Sequence, residues 1–178
     1  MKMLSKLALS ALTAALAFGT LPAMAETEVG IFGGYDLMSA SQGGSSQGGL
    51  MAGARAGYRT ASGLVIDAQF IRHASSSGGL TTAQMLAGVG ARYHFFDTDL
   101  SPFASAHINH HLAAHLEGGG ESMALSNSSG LGMDVGGGVQ LGINGTWFLE
   151  GTTHYAIQLM GDLRYNSMGM GLGVGTWF

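Results

Sequence analysis

The stretch Leu131 to Ile143, LGMDVGGGVQLGI, alternates along its length. Leu131, Met133, Val135, Val139, Leu141 and Ile143 share one parity, and Gly132, Asp134, Gly136, Gly138, Gln140 and Gly142 share the other. Side chains of a strand point alternately to opposite faces, so this pattern predicts a strand with one apolar face and one small or polar face. The final stretch repeats it, with Met168, Met170, Leu172, Val174 and Phe178 opposed to Gly169, Gly171, Gly173 and Gly175. So does an early one, where Val29, Ile31, Tyr35 and Leu37 oppose Gly30, Phe32, Gly34 and Asp36. Eight such segments are predicted, at 28–37, 49–59, 63–73, 81–95, 102–117, 130–143, 146–159 and 163–178. Each has about the 9 to 11 residues, or somewhat more, that a tilted strand needs to cross a bilayer.

The connections alternate in character. SASQGGSSQGG, ASSSGG and GGGESMALSNSSG are polar and rich in glycine and serine, and a shorter link, Leu159 to Asp162, falls on their side; TAS, FDTDLS and NG are short. Asn144-Gly145 carries the signature of a two-residue hairpin turn. Pro102 sits at a predicted strand start, where its missing N–H interrupts least. Tyr58, Tyr93, Phe95, Phe96, Phe103, Trp147, Phe148, Trp177 and Phe178 gather near the short turns or the C-terminus, which predicts an aromatic girdle at one membrane face.

Composition decides where such strands live. Only 10% of residues are charged and 46% are hydrophobic, against roughly 25% charged in an ordinary soluble domain. Yet beyond the N-terminus there is no run of about 18 to 20 apolar residues to make a spanning helix. At the N-terminus, Lys2 and Lys6, the apolar LALSALTAALAF, and small residues at Ala23 and Ala25 predict a cleavable signal peptide over residues 1–25, with the mature domain at 26–178. That domain has no lysine, and five arginines against eleven acids give it a net charge of about −6 with histidines neutral, which speaks against nucleic acid as a partner. The absence of cysteine excludes a disulfide framework and thiolate chemistry.

A cleavable leader, eight amphipathic strands, long polar loops alternating with short turns and a terminal Trp177-Phe178 together resemble the small eight-stranded outer-membrane barrels of Gram-negative bacteria, the OmpA-like and OmpX-like class. The resemblance implies an all-β, up-and-down antiparallel transmembrane barrel, monomeric, in the cell outer membrane, with outer-membrane lipid and lipopolysaccharide as surroundings. It also implies that Phe178 and its strand serve as the signal read by the barrel-assembly machinery. In lipid only helices or closed barrels satisfy the backbone. The apolar parity then faces acyl chains and the glycine parity a narrow lumen, with glycines making room for larger neighbours. The competing soluble reading, a secreted β-sandwich or lipocalin-like barrel, would turn the apolar parity inward and leave a row of glycines facing water.

On the luminal parity stand Asp36, Arg55, Arg59, Asp67, Gln69, Gln84, Arg92, His107, Asn109, His111, His115, Glu117, Asp134, Gln140, Glu150, His154 and Gln158. Buried charges require partners, so these are expected to form a salt-bridge network that fills the barrel; a thin gated conductance path is the alternative. His107, His111 and His115 recur every four residues, spaced by about 13 Å, too far to share one ion. His110 is expected to face lipid or the membrane interface. The histidines are read as polar fillers; a metal held by His111 or His115 with His154, Glu117 or Glu150 is the alternative, and no cofactor is assigned. Among small outer-membrane barrels, the lipid A deacylases carry His and Ser two residues apart followed by Asn. Here no histidine precedes Ser126 at that spacing. The expected function is therefore non-enzymatic, a structural or surface-interaction role through loops near 38–48, 74–80 and 118–129, with a small pore next and a lipid-modifying enzyme last.

Overall fold

The computed structural model describes residues 26–40, 46–77, 80–118, 121–124, 130–160 and 163–178; the leader expected at 1–25 lies outside them. The strands are β1 (Glu26–Ala40), β2 (Gln47–Arg59), β3 (Leu64–Ser77), β4 (Leu80–His94), β5 (Leu100–Gly118), β6 (Glu121–Ala124), β7 (Gly130–Gly142), β8 (Trp147–Met160) and β9 (Leu163–Trp177). Eight long strands pair antiparallel with their chain neighbours, and β1 pairs with β9 to close the ring. The short β6 folds back on the end of β5, beyond the reach of β7. The fold is the closed eight-stranded barrel that the alternation predicts.

The register fixes the dimensions. Following hydrogen-bonded partners once round from Glu28 passes through Gly57, Asp67, Gly90, His107, Asp134, Ala156 and Ser167 and returns to β1 at Met38. The stagger from residue 28 to residue 38 is ten residues. With a rise of about 3.3 Å and a strand spacing of about 4.8 Å, it sets a strand tilt of about 41°. Thr27 and Phe178 exchange backbone hydrogen bonds in both directions, at 3.2 and 2.9 Å, which seals the β1–β9 seam.

The outer wall is apolar. Leu131, Met133, Val135, Met168, Met170 and Leu172 all face outward, Leu172 with 75% of its surface exposed. The luminal parity is packed, and its glycines are matched to bulky neighbours on adjacent strands. A Cβ on Gly53 would lie 2.4 Å from the Phe32 ring, one on Gly175 2.2 Å from Phe148, and one on Gly90 2.3 Å from His107.

Four expectations change in detail. Of the residues placed in loops at 38–48 and 74–80, 38–40 and 47–48 belong to β1 and β2 and 74–77 and 80 to β3 and β4, where Ser75–Ser77 and Thr82–Leu80 continue the β3–β4 ladder, while 41–45 and 78–79 lie outside the described residues. The same holds at 118–129 for Gly118 and for Glu121–Ala124 of β6. The Asn144-Gly145 turn is wider than two residues: Ile143 N–H donates to the Trp147 carbonyl at 2.8 Å across a three-residue loop. Asn144 Oδ1 caps that loop by accepting from the Trp147 N–H at 3.1 Å, and Gly145 adopts φ 71°. The aromatic girdle is smaller than expected. Tyr93, Phe95, Phe96, Trp147 and Phe178 are exposed around the turn end, but Phe103 and Phe148 are buried inside at 4% and 1% exposure. Trp177 stacks inward on Phe148 with ring centroids 5.0 Å apart.

The fourth change concerns β5. Leu86 of β4 pairs with His111 but Met85 pairs with Ala113, so Leu112 is the extra residue of a β-bulge. The alternation that aligns His107, Asn109 and His111 therefore does not continue to His115. His115 is registered opposite Ala83 and Glu117 opposite Thr81, and the side chains of both lie outside the described residues.

Replacing Gly53 with valine should lower unfolding stability by about 1–3 kcal/mol through overpacking against Phe32. Ala54→Val, on the outward parity, should change it by less than about 0.5 kcal/mol. Urea unfolding in lipid vesicles compares the two directly, and equal effects would contradict the packing described.

Candidate functional site

Seven of the eight long strands each contribute one ionisable side chain to a single luminal cluster at the turn end of the barrel: Glu28, Arg55, Asp67, Arg92, His107, Asp134 and Glu150 in chain order. β9 supplies glycines there, Gly171, Gly173 and Gly175. Arg92 lies at the centre, 1% exposed. It donates from Nε to Asp67 Oδ2 at 2.6 Å, pairs with Glu28, and approaches Glu150 Oε2 at 3.4 Å. Its guanidinium also sits 5.7 Å from the centre of the Phe103 ring. Arg55 reaches across from β2 to grip Glu150 with two nitrogens, Nη1 to Oε1 at 2.7 Å, and has Glu28 at 3.8 Å. Fork-to-carboxylate contacts of this kind combine charge with fixed direction.

The cluster continues one step up the barrel. His107 Nε2 faces Asp67 Oδ1 at 2.9 Å, and its Nδ1 faces Asp134 Oδ1 at 3.0 Å. Both ring nitrogens can donate only from an imidazolium. Asn109 donates to Asp134 Oδ2 at 2.5 Å, and Gln69 donates to Asn109 Oδ1 at 3.0 Å and to Asp134 Oδ2 at 3.2 Å. A separate cluster lies eight residues further along β1, where Asp36 stands between His73 Nδ1 at 2.8 Å and His154 Nε2 at 3.0 Å. Gly169 leaves the space for that meeting, since a Cβ there would strike both Asp36 and His154. Between the two clusters, Met51, Ile71 and Leu86 pack against Phe32, leaving a cavity of about 70 Å³ bordered by Arg55, Gln69, His107, Asp134 and His154.

Of the residues singled out from sequence, Arg55, Asp67, Arg92, His107, Asp134 and Glu150 thus meet in one network, and Asp36 and His154 in another. Gln140 is buried at the turn end beside Glu150, and His111 is buried opposite Leu86. Arg59 lies at the turn-end mouth, 3.8 Å from Asp97. His110 is exposed on the outer wall. Among the described residues no three histidine or carboxylate side chains converge as a metal site.

Three partners escaped the sequence reading. Glu28 is fully buried and touches both arginines, and its parity, shared with Gly30 and Asp36, was the available signal. His73 shares the parity of Asp67 and Gln69 but stands at the end of the segment assigned to its strand. His94 follows the parity of Arg92 and is buried at 2% exposure, 3.3 Å from Ser101.

An apolar wall around a charged, closed bore is the arrangement of a lipid-embedded barrel, and the sequence comparison agrees with it: residues 10–178 match the family model for the outer membrane protein beta-barrel domain. The chain belongs to that family. Its place is the outer membrane of Gram-negative bacteria. Neisserial surface protein A has the same barrel, with a TM-score of 0.72 at 20% identity over 85% of this chain and 97% of that one. Ail, the attachment invasion locus protein of Yersinia pestis, matches with TM-score 0.57 at 14% identity, over 87% of this chain and 99% of that one. The outer membrane enzyme PagL also matches with TM-score 0.57 at 14% identity, covering 80% and 97%. At such identities the likeness extends to the fold alone. No curated protein matches the chain at a significant level.

Within this family member, Arg92→Met should destabilise the barrel by about 3–5 kcal/mol, because Glu28, Asp67 and Glu150 then remain buried without their shared cation. Equilibrium unfolding measures the loss, and a change below about 1 kcal/mol would show that the network contributes little.

Proposed function

We propose that this protein is a non-conducting outer-membrane barrel whose interior is structural and whose activity lies at the surface, in the strand ends and connections opposite the short turns. The observation that carries this reading is the ion-paired cluster across the bore. Arg92 of β4 and Arg55 of β2 bridge carboxylates from β1, β3 and β8, so an ion entering the lumen would have to displace contacts that hold five strands together. Eight strands leave an interior just wide enough for side chains to fill, and here they fill it.

A surface role accords with the fold's occurrence in an attachment invasion locus protein and in a surface protein. An outer membrane enzyme also uses it, so the fold by itself does not exclude catalysis. The outer wall offers little for nucleophilic chemistry, however. Among residues whose side chains are described, the exposed histidine is His110, registered between Ala87 and Leu131, with no hydroxyl at either partner position.

Single-channel recording of the refolded protein in a planar bilayer tests the reading. The wild type should be silent at neutral and mildly acidic pH. Arg55→Ala combined with Arg92→Ala, where it still folds, should show conductance steps. Discrete, sustained steps from the wild type would replace this reading with that of a small pore.

A further inference from the structure

The charged residues of the barrel are distributed unevenly between its two faces. Of the five arginines, Arg55 and Arg92 are inside, Arg59 lies at the turn-end mouth and Arg164 is exposed at the polar end of β9, where it makes contacts of its own. Arg72 points outward from β3 on the parity of Ile66 and Phe70 and is exposed. Its cross-strand partners are Ala52 and Met85, and among the described residues it has no carboxylate partner. Two strands away, His110 of β5 also faces outward, opposite Ala87. Arg72 is paired with Met85 and His110 with Ala87, two positions apart on the same face of β4. After the tilt of the strands is allowed for, they stand at nearly the same height, toward the end of the barrel that carries the polar connections. Beneath them the outer wall of β3 to β5 is apolar, with Phe70, Val89 and Ile108 exposed on it.

Cations on a lipid-facing wall are unfavourable unless they reach the interface or find an anion. Acids whose side chains are described offer none here: they are luminal, as Asp67 and Glu150 are, or sit at the turn end, as Asp97 does. An anion must then come from the membrane. We infer that Arg72 and His110 form a seat for the phosphate of an outer-leaflet lipid of the lipid A class, with its acyl chains lying against the apolar side chains of β3 to β5 below. The guanidinium supplies a forked donor suited to a phosphate, the imidazole adds a second donor from the far side of β4, and Arg72 can extend along the wall toward the headgroup level. The inference concerns the outer wall and stands apart from the luminal reading above.

The test places the whole protein in phosphatidylcholine nanodiscs containing a few mole per cent of diphosphoryl lipid A and counts the lipid A molecules it retains by native mass spectrometry. The wild type should retain lipid A and release its dephosphorylated form. Arg72→Gln with His110→Gln should lower retention about tenfold, the loss expected for charge-assisted hydrogen bonds, while Arg72→Lys keeps more than Arg72→Gln. Faster migration of unboiled samples on a denaturing gel verifies that each variant is folded. Unchanged retention by the double variant would overturn the inference. So would equal retention by the wild type of dephosphorylated lipid A or of phosphatidylglycerol, a comparison that needs no variant to fold.

Discussion

A backbone amide in hydrocarbon has no water to bond with, and closing the hydrogen-bond ladder is the constraint from which the other features of this barrel follow. Pairing β1 with β9 removes both sheet edges. The stagger of ten residues then sets the tilt and with it the bore. Once the bore is that narrow, each luminal position must be matched to its neighbours: glycine beside phenylalanine or histidine, arginine beside carboxylate. The apolar wall and the charged interior are thus two results of one closure, which separates side chains by parity alone.

The interior charges illustrate how weak pairwise arguments become inside such a closure. A buried arginine is costly to desolvate, and a single carboxylate seldom compensates it in full. Arg92 has three around it, Glu28, Asp67 and Glu150, from three different strands. The network is less a set of salt bridges than one multi-centred contact whose geometry exists only when the strands are in register. A slip of one residue would carry the whole set of a strand to the lipid side.

Much of this was legible in the sequence because parity is legible. The alternation at 131–143 and 168–178 located strands, and by the same rule Arg55, Asp67, Arg92, Asp134 and Glu150 fell on one face. What alternation cannot encode is the third dimension. It does not show which strands face each other across the bore, so the meeting of Arg55 with Glu150 was not derivable, nor the pairing of Asp36 with His73 and His154. Alternation also fails at a bulge: nothing in NHHLAAH marks Leu112 as the extra residue. Parity put Phe148 with Glu150 on the luminal side and Trp147 on the other, but the expected girdle grouped both by their nearness to a turn; the Phe148 ring fills the space above Gly175. The polar strand ends were misread because serine and threonine signal loops in water yet sit readily in a ladder that projects beyond the membrane.

Arg55 and Glu150 are 95 residues apart in the chain, and Arg92 and Glu150 are 58 apart. Contacts of such range give no foothold to a partly assembled sheet; they appear together when the last seam zips. The consequence is kinetic. The finished barrel wears its charges as an internal clasp, because strands cannot be peeled away one at a time without first exposing ions to a bore that holds little to solvate them. Opening the sheet at β1, β2, β3, β4 or β8 must break ion pairs of the same network, which favours a cooperative opening and raises the barrier that bears on the molecule's lifetime in the membrane.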